Sequence, residues 1–337
     1  MPNVTLHLAL AERILSEWRL GSDPPFSPRD PILVNAFRSG ALGPDLGYFP
    51  GGPRFLSDLA HCVGSGTLTR ALLSGAESAR ERAFAWGWVT HVLADRKIHP
   101  LVGRGVSVLK GGAPTEIISG DAAPEAHVRV ETGVDVWISS LEPDLREIRL
   151  EPVFDAVSVR FLQEAYQRTY GIRVDGASLL AAHHAATRMA GPALTTMGHL
   201  STVMEAGDSP GFVGGASRRV GRLFAGLAGF ATDRLGAGGM ALALLTPVSP
   251  PAWLRLAVAE ALERFPGSVL RVQEGPEGSL PNVNLDTGAP DGTDRTHGTS
   301  ERTRATLERM VAEGSRFPWD STDAGGGRGI GRDRGTW

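Results

Sequence analysis

Cysteine is almost missing from this chain, with Cys62 alone in 337 residues, and aromatic residues make up only 7% of it. One thiol excludes an intrachain disulfide framework and is compatible with a reducing compartment. An excess of positive charge is missing too. The net charge is −3 and the isoelectric point near 6.3, so the whole-chain field does not draw in polyanions as a basic nucleic-acid binder does. No uncharged apolar run approaches the roughly 20 residues that a membrane-spanning helix needs. The opening MPNVTLHLALAERIL has no positive n-region and its short apolar run is broken by His7, which makes a poor signal peptide. A cytoplasmic protein is the expectation. No His-Asp dipeptide occurs, which disfavours a phosphohydrolase of the HD type. The one glycine-rich run, Gly325-Gly-Gly-Arg-Gly-Ile-Gly, follows no strand-like segment and is no dinucleotide fingerprint.

What the chain does have is histidine beside carboxylate. Five of its nine histidines, His7, His61, His91, His99 and His127, fall in the first 131 residues. The densest piece is His91-Val-Leu-Ala-Asp95-Arg-Lys-Ile-His99, at the end of an apolar, helix-like stretch. At about 100° per residue, positions 91, 95 and 99 share one helix face within roughly 80°. His127 and Glu131 repeat the i, i+4 spacing that stacks two side chains on one face. Imidazole mixed with carboxylate suits zinc and its first-row neighbours. Each residue also has a plainer reading: Asp45 as a turn aspartate, His7 as a partly buried structural histidine, His91 with Asp95 as a hydrogen-bonded pair. Seven or eight of them in order at helical offsets favour a metal cluster.

Most periodic segments carry the helical period, and the expected fold class is all-α. Helices are expected at about 5–18, 32–40, 64–75, 77–98, around 127–131, and at 153–169, 176–190, 212–236, 251–264 and 301–313. Between them, 21–31 forms a loop, Gly40-Ala-Leu-Gly-Pro-Asp45 a turn exposing Asp45, and 101–120 a looser segment, with Pro100 ending or kinking the helix before it. Residues 273–300, rich in Gly, Pro, Asp, Asn and Thr, are expected to be mobile or draped on the surface, and those after about 318 disordered. The domain expectation is a metal-binding catalytic unit over 1–200, a helical extension over 201–318, and a tail over 319–337. Phe84 and Trp88 share the face of His91 and are expected in the core, whereas Tyr48 and Phe49 could equally wall a pocket. His183, His184, His199 and His297 match nothing and are assigned to core or surface.

The order His7, Gly40-Ala41-Leu42-Gly43-Pro44-Asp45, His61, His91-x3-Asp95-x3-His99 and His127-x3-Glu131 resembles the zinc-dependent phospholipase C family, which is related to the S1/P1-type nucleases. The resemblance covers roughly residues 1–135. It implies an all-helical domain holding two or three zinc ions. By that resemblance, Asp45, His61, His91 and Asp95 hold one zinc, and His99, His127 and Glu131 a second. His7 contributes to a third, with Asp95 bridging. Secreted members complete the third site with an N-terminal tryptophan, which is absent here, so the amine and carbonyl of Pro2 are expected in its place. The implied activity is hydrolysis of a phosphodiester by metal-activated hydroxide; Asp45 is a candidate catalytic carboxylate, and Asp58, the nearest carboxylate by sequence, is a candidate for orienting the nucleophile from the outer shell. A phospholipid is the expected substrate, with peripheral membrane contact; the second reading is a nuclease of the S1/P1 type, mildly disfavoured by the lack of a basic face. A non-catalytic protein that keeps zinc for folding, with a basic amphipathic segment at 212–248 on a lipid surface, is the third possibility.

Overall fold

The computed structural model describes residues 4–21, 23–206, 246–293 and 297–313. Among them the chain is all-α, with no strand and one isolated antiparallel bridge between Val283 and Pro290. The helix that carries the histidine–aspartate motif, α5 (Ala79–Leu109), begins at a capping box in which Ser78 and Glu81 satisfy each other's backbone N–H groups. Around it lie α1 (Val4–Arg19), α2 (Pro31–Gly40), α4 (Ser65–Gly75) and α6 (Pro124–Leu141). The helix α3 (Arg54–Cys62) follows a 3₁₀ turn, Pro44–Tyr48, and packs on it. Further on come α7 (Arg160–Tyr170), α8 (Gly176–Ala206), α9 (Ala252–Glu274), the single turn α10 (Pro276–Ser279) and α11 (Gly298–Glu313).

Small residues let α2 and α5 approach until their backbones touch. A Cβ added at Gly40 would stand 2.0 Å from the Phe84 carbonyl oxygen, and one at Gly87 2.0 Å from that of Phe37. Either addition would overpack the contact. Phe84 and Trp88 are fully buried beside it, as their shared face predicts, and burial of each such ring contributes about 1.5–3 kcal/mol. The hydrophobic core is continuous from α1 through Leu254, Val258 and Phe265 of α9 to Met310 of α11.

Three expectations are corrected. The helix carrying His91 does not end at Pro100 but runs on to Leu109, across most of the first half of the looser segment. Proline removes one ladder donor, but buried Val102 and Val106 keep the next turns packed. The turn before Asp45 does not expose it: the Ser57 hydroxyl donates to the Pro44 carbonyl and accepts from Gly47 N–H, drawing Asp45 inward to 9% exposure. The stretch 273–300 is no surface drape where it is described, since Leu280, Val283, Asn284 and Leu285 are buried and Leu285 N–H donates to the His61 carbonyl at 2.8 Å. The arginine-edged segment expected at 212–236 and the tail after 318 lie outside the described residues, as does Pro2.

Candidate metal centre

Five separate segments bring their histidines and carboxylates to one place. Asp95 is the hub. It is 1% exposed, and its two oxygens face four imidazoles: Oδ2 lies 3.0 Å from His91 Nε2 and 3.3 Å from His61 Nε2, while Oδ1 lies 3.2 Å from His7 Nε2 and 3.4 Å from His99 Nε2. On one side, Asp45 Oδ1 stands 3.3 Å from His61 Nε2 and 4.0 Å from His91 Nε2. On the other, Glu131 Oε1 stands 3.0 Å from His127 Nε2 and 3.4 Å from His99 Nε2. All eight expected metal residues are therefore together, with 91, 95 and 99 on one face of α5 as the helical offsets require.

Local hydrogen bonds set how the rings present themselves. His91 Nδ1–H donates to the Ala41 carbonyl at 2.8 Å and His61 Nδ1–H to the Ser57 carbonyl at 2.7 Å, so both Nε2 atoms face the cluster. Such outer partners fix the tautomer of a ligating histidine. His7 stacks on His91 with ring centroids 3.7 Å apart. It is placed by α1, whose first turn is anchored by buried Asp135: Leu6 N–H donates to Asp135 Oδ1 at 3.0 Å and Thr5 N–H to Oδ2 at 3.3 Å. Asp135, a remote carboxylate on a helix N-terminus, carries no sequence signal beyond its position one turn past Glu131.

Charge follows from this crowding. Burial alone would raise Asp95 and Asp45, but neighbouring imidazoles, His91 foremost, outweigh it; Asp95 is held well below the usual carboxylate range and Asp45 down to about 2. Burial would lower the imidazoles, and it does so for His7, together with the charge of His91. In His61 the adjacent carboxylates of Asp45 and Asp95 prevail over burial and push it well up. In His99 burial is overcome chiefly by Asp95, then Asp286 and Glu131, and the ring is raised to about 10. Both Asp95 oxygens, His7 Nδ1 and His127 Nδ1 are buried without a partner in hydrogen-bond geometry. Carboxylate oxygens so placed, with imidazole nitrogens at ligand-to-ligand spacing, fit divalent cations of the zinc type. Three groups could hold one: His7, His91 and Asp95; Asp45, His61 and His91; and His99, His127 and Asp286.

The remaining candidates fall differently. Asp58 does not reach an imidazole; it accepts a 3.0 Å hydrogen bond from the Tyr48 hydroxyl and lies 3.6 Å from Arg54, and burial raises its carboxyl. Tyr48 flanks His61 at 5.5 Å between ring centroids, so it borders the site, whereas Phe49 is core. His183 is core as expected, its Nε2 accepting from Val153 N–H. His297 and Asp286 are the residues that sequence reasoning missed. His297 contacts Asp286 at 2.8 Å, and Asp286 Oδ1 lies 3.8 Å from His127 Nε2. Exposure is graded across the cluster: His7, His91 and Asp95 are sealed, while the side chains of Asp45, His99 and Asp286 reach 12–15%.

No helix among the described residues is long and apolar enough to cross a membrane. Neither a curated protein nor a solved structure shows significant similarity to the chain. The family described as zinc dependent phospholipase C matches residues 6–177, which span all the metal candidates named from sequence and run beyond the 1–135 of the motif resemblance. With that match over half its length, and the ligand chemistry converged on Asp95, the chain belongs to the zinc dependent phospholipase C family.

Proposed function

We propose that the chain hydrolyses a phosphodiester, most closely a phospholipid head-group ester, at this centre. The observation that carries the reading is Asp95 sealed among four imidazole Nε2 atoms within 3.4 Å. Asp45, His61, His91 and Asp95 would hold one zinc, and His99, His127 and Glu131 a second. His7 with Asp95 supplies part of a third position. Zinc there supplies Lewis-acid neutralisation of the phosphoryl charge and lowers the pKa of water.

The chain's own groups do the rest. The Ala41 and Ser57 carbonyls hold His91 and His61 in one tautomer, so no reorientation is needed when a ligand arrives. Asp45, at the more exposed edge and held down to about 2, stays ionised at neutral pH and can orient a water by accepting its hydrogen bond. Asp58 acts one step out, fixing the Tyr48 ring against His61 through the phenol hydroxyl. Arg54, 59% exposed on its side chain and 5.7 Å from the centroid of the Tyr48 ring, places a cation at that rim, where an anionic phosphate would approach. The guanidinium already lies over that aromatic face, so a choline group would compete with it rather than find it vacant.

The test is turnover of a phosphocholine ester beside cleavage of single-stranded DNA by zinc-loaded protein. The reading expects the ester hydrolysed and the DNA left intact. DNA cleavage with no ester turnover would replace it with a nuclease reading, and bound zinc with neither activity would favour a non-catalytic role.

A further inference from the structure

The loop between α10 and α11 lies beyond residues 6–177, yet it reaches into the centre. It is pinned to α3 and α4: Leu285 N–H donates to the His61 carbonyl, and the Ser65 hydroxyl to the Val283 carbonyl at 2.8 Å. Within it, Asp286 N–H donates to Asn284 Oδ1 at 2.9 Å, and Asn284 Nδ2 donates to the Ser300 hydroxyl at 2.9 Å. Asp286 is thus held at the tip of a fastened loop rather than on a loose one.

Its two oxygens are treated differently. Oδ2 accepts from Gly120 N–H at 2.8 Å and from His297 Nε2 at 2.8 Å. Ser300 N–H donates to His297 Nδ1 at 3.2 Å, so Nδ1 is the acceptor nitrogen and Nε2 carries the proton given to Asp286. Gly120 lies close against the site, since a Cβ there would stand 3.3 Å from the His127 ring. Oδ1 receives no such donor. It is buried without a partner in hydrogen-bond geometry, 3.8 Å from His127 Nε2 and 3.9 Å from His99 Nδ1.

A carboxylate serving only to tether the loop would turn both oxygens to donors, since burying a charged oxygen without one is costly. One oxygen tethered by a histidine and an amide, with the other aimed between two imidazoles, is the pattern of a metal ligand supported by outer partners. Ligand atoms about 2.0–2.2 Å from a zinc ion in a tetrahedral shell stand roughly 3.4 Å apart, so a small closure of the 3.8 Å separation suffices. We propose that Asp286 is a protein ligand of the second metal position together with His99 and His127, the three offering ligand atoms within 4.8 Å of one another, and that His297 positions it. The inference rests on the zinc reading above. It gives the segment beyond residue 177 a part in the centre that the family-matched region does not supply.

Zinc content and release of zinc to a competing chelator test this on the full chain, with helix content followed by circular dichroism. Wild type, Asp286→Asn, Asp286→Ala and His297→Ala are compared. The Asp286 variants are expected to lose one zinc per chain, or to release it at least about tenfold more readily, with the other zinc retained. His297→Ala keeps the ligand and loses its support, so a weakening of about 10–100-fold at that one position is expected. Asp286→Asn is isosteric and keeps the test valid should the alanine variant fail to fold. Full zinc content with unchanged release in both Asp286 variants overturns the inference and leaves the zinc reading standing. A wild-type chain that binds no zinc overturns both.

Discussion

At the scale of single residues, two buried histidine environments make opposite predictions about protons. Around Asp95 the neighbouring carboxylates outweigh burial and raise His61 and His99. His183 stands apart, with no carboxylate among the described residues acting on it: burial, then the neighbouring His184, lowers its pKa to about 4. Its Nε2 is already engaged as an acceptor for Val153 N–H at 2.8 Å, a bond that protonation would destroy. The unfolded chain takes up this proton as pH falls through about 6.5, whereas the folded chain resists until about 4. Stability from His183 is therefore complete above pH 6.5 and declines toward pH 4, by about 3 kcal/mol in all. Urea denaturation of the chelator-treated protein at pH 7, 5 and 4 should show a flatter acid limb for His183→Gln than for wild type. Identical limbs would contradict the assignment. The same substitution should leave zinc content alone, because His183 packs against Phe154 and Phe84 rather than the cluster.

At the scale of elements, the centre depends on where helices start and stop. The first turn of α1 carries His7, and Asp135 of α6 accepts N–H groups of that turn; a carboxylate at a helix N-terminus also suits the helix dipole. Replacing Asp135 by alanine leaves those buried donors unpaired, and a loss of about 1–3 kcal/mol in urea unfolding is expected, together with weaker zinc retention at the His7 position. Stability within about 0.5 kcal/mol of wild type would show that α1 is held by packing alone. Such tertiary caps leave no trace in a sequence, whereas the offsets of His91, Asp95 and His99 were legible because a helix fixes them before any packing occurs. Pro100 was misjudged for the same reason in reverse. Its local effect is a lost hydrogen bond, but the continuation of α5 is decided by residues such as Val102 and Val106, which bury themselves against other elements.

At the scale of the whole molecule, the family-matched region and the C-terminal helices share one core, and the centre is walled by both. The eight metal candidates could be named from sequence because motif order and helix period agreed on them. Asp286 and His297 could not, since a loop rich in Gly, Pro and Asn has no period, and Asp286 meets Gly120 across 166 positions of chain. The central claim is that Asp95 joins neighbouring zinc positions. Zinc per chain, measured on purified full-length protein and on Asp95→Ala, tests it most directly. Wild type should hold two or three zinc ions, and Asp95→Ala should lose more than one while its hydrolysis falls beyond the roughly 10–100-fold that a supporting residue costs. Wild type without zinc, or Asp95→Ala with its full complement, would contradict the claim.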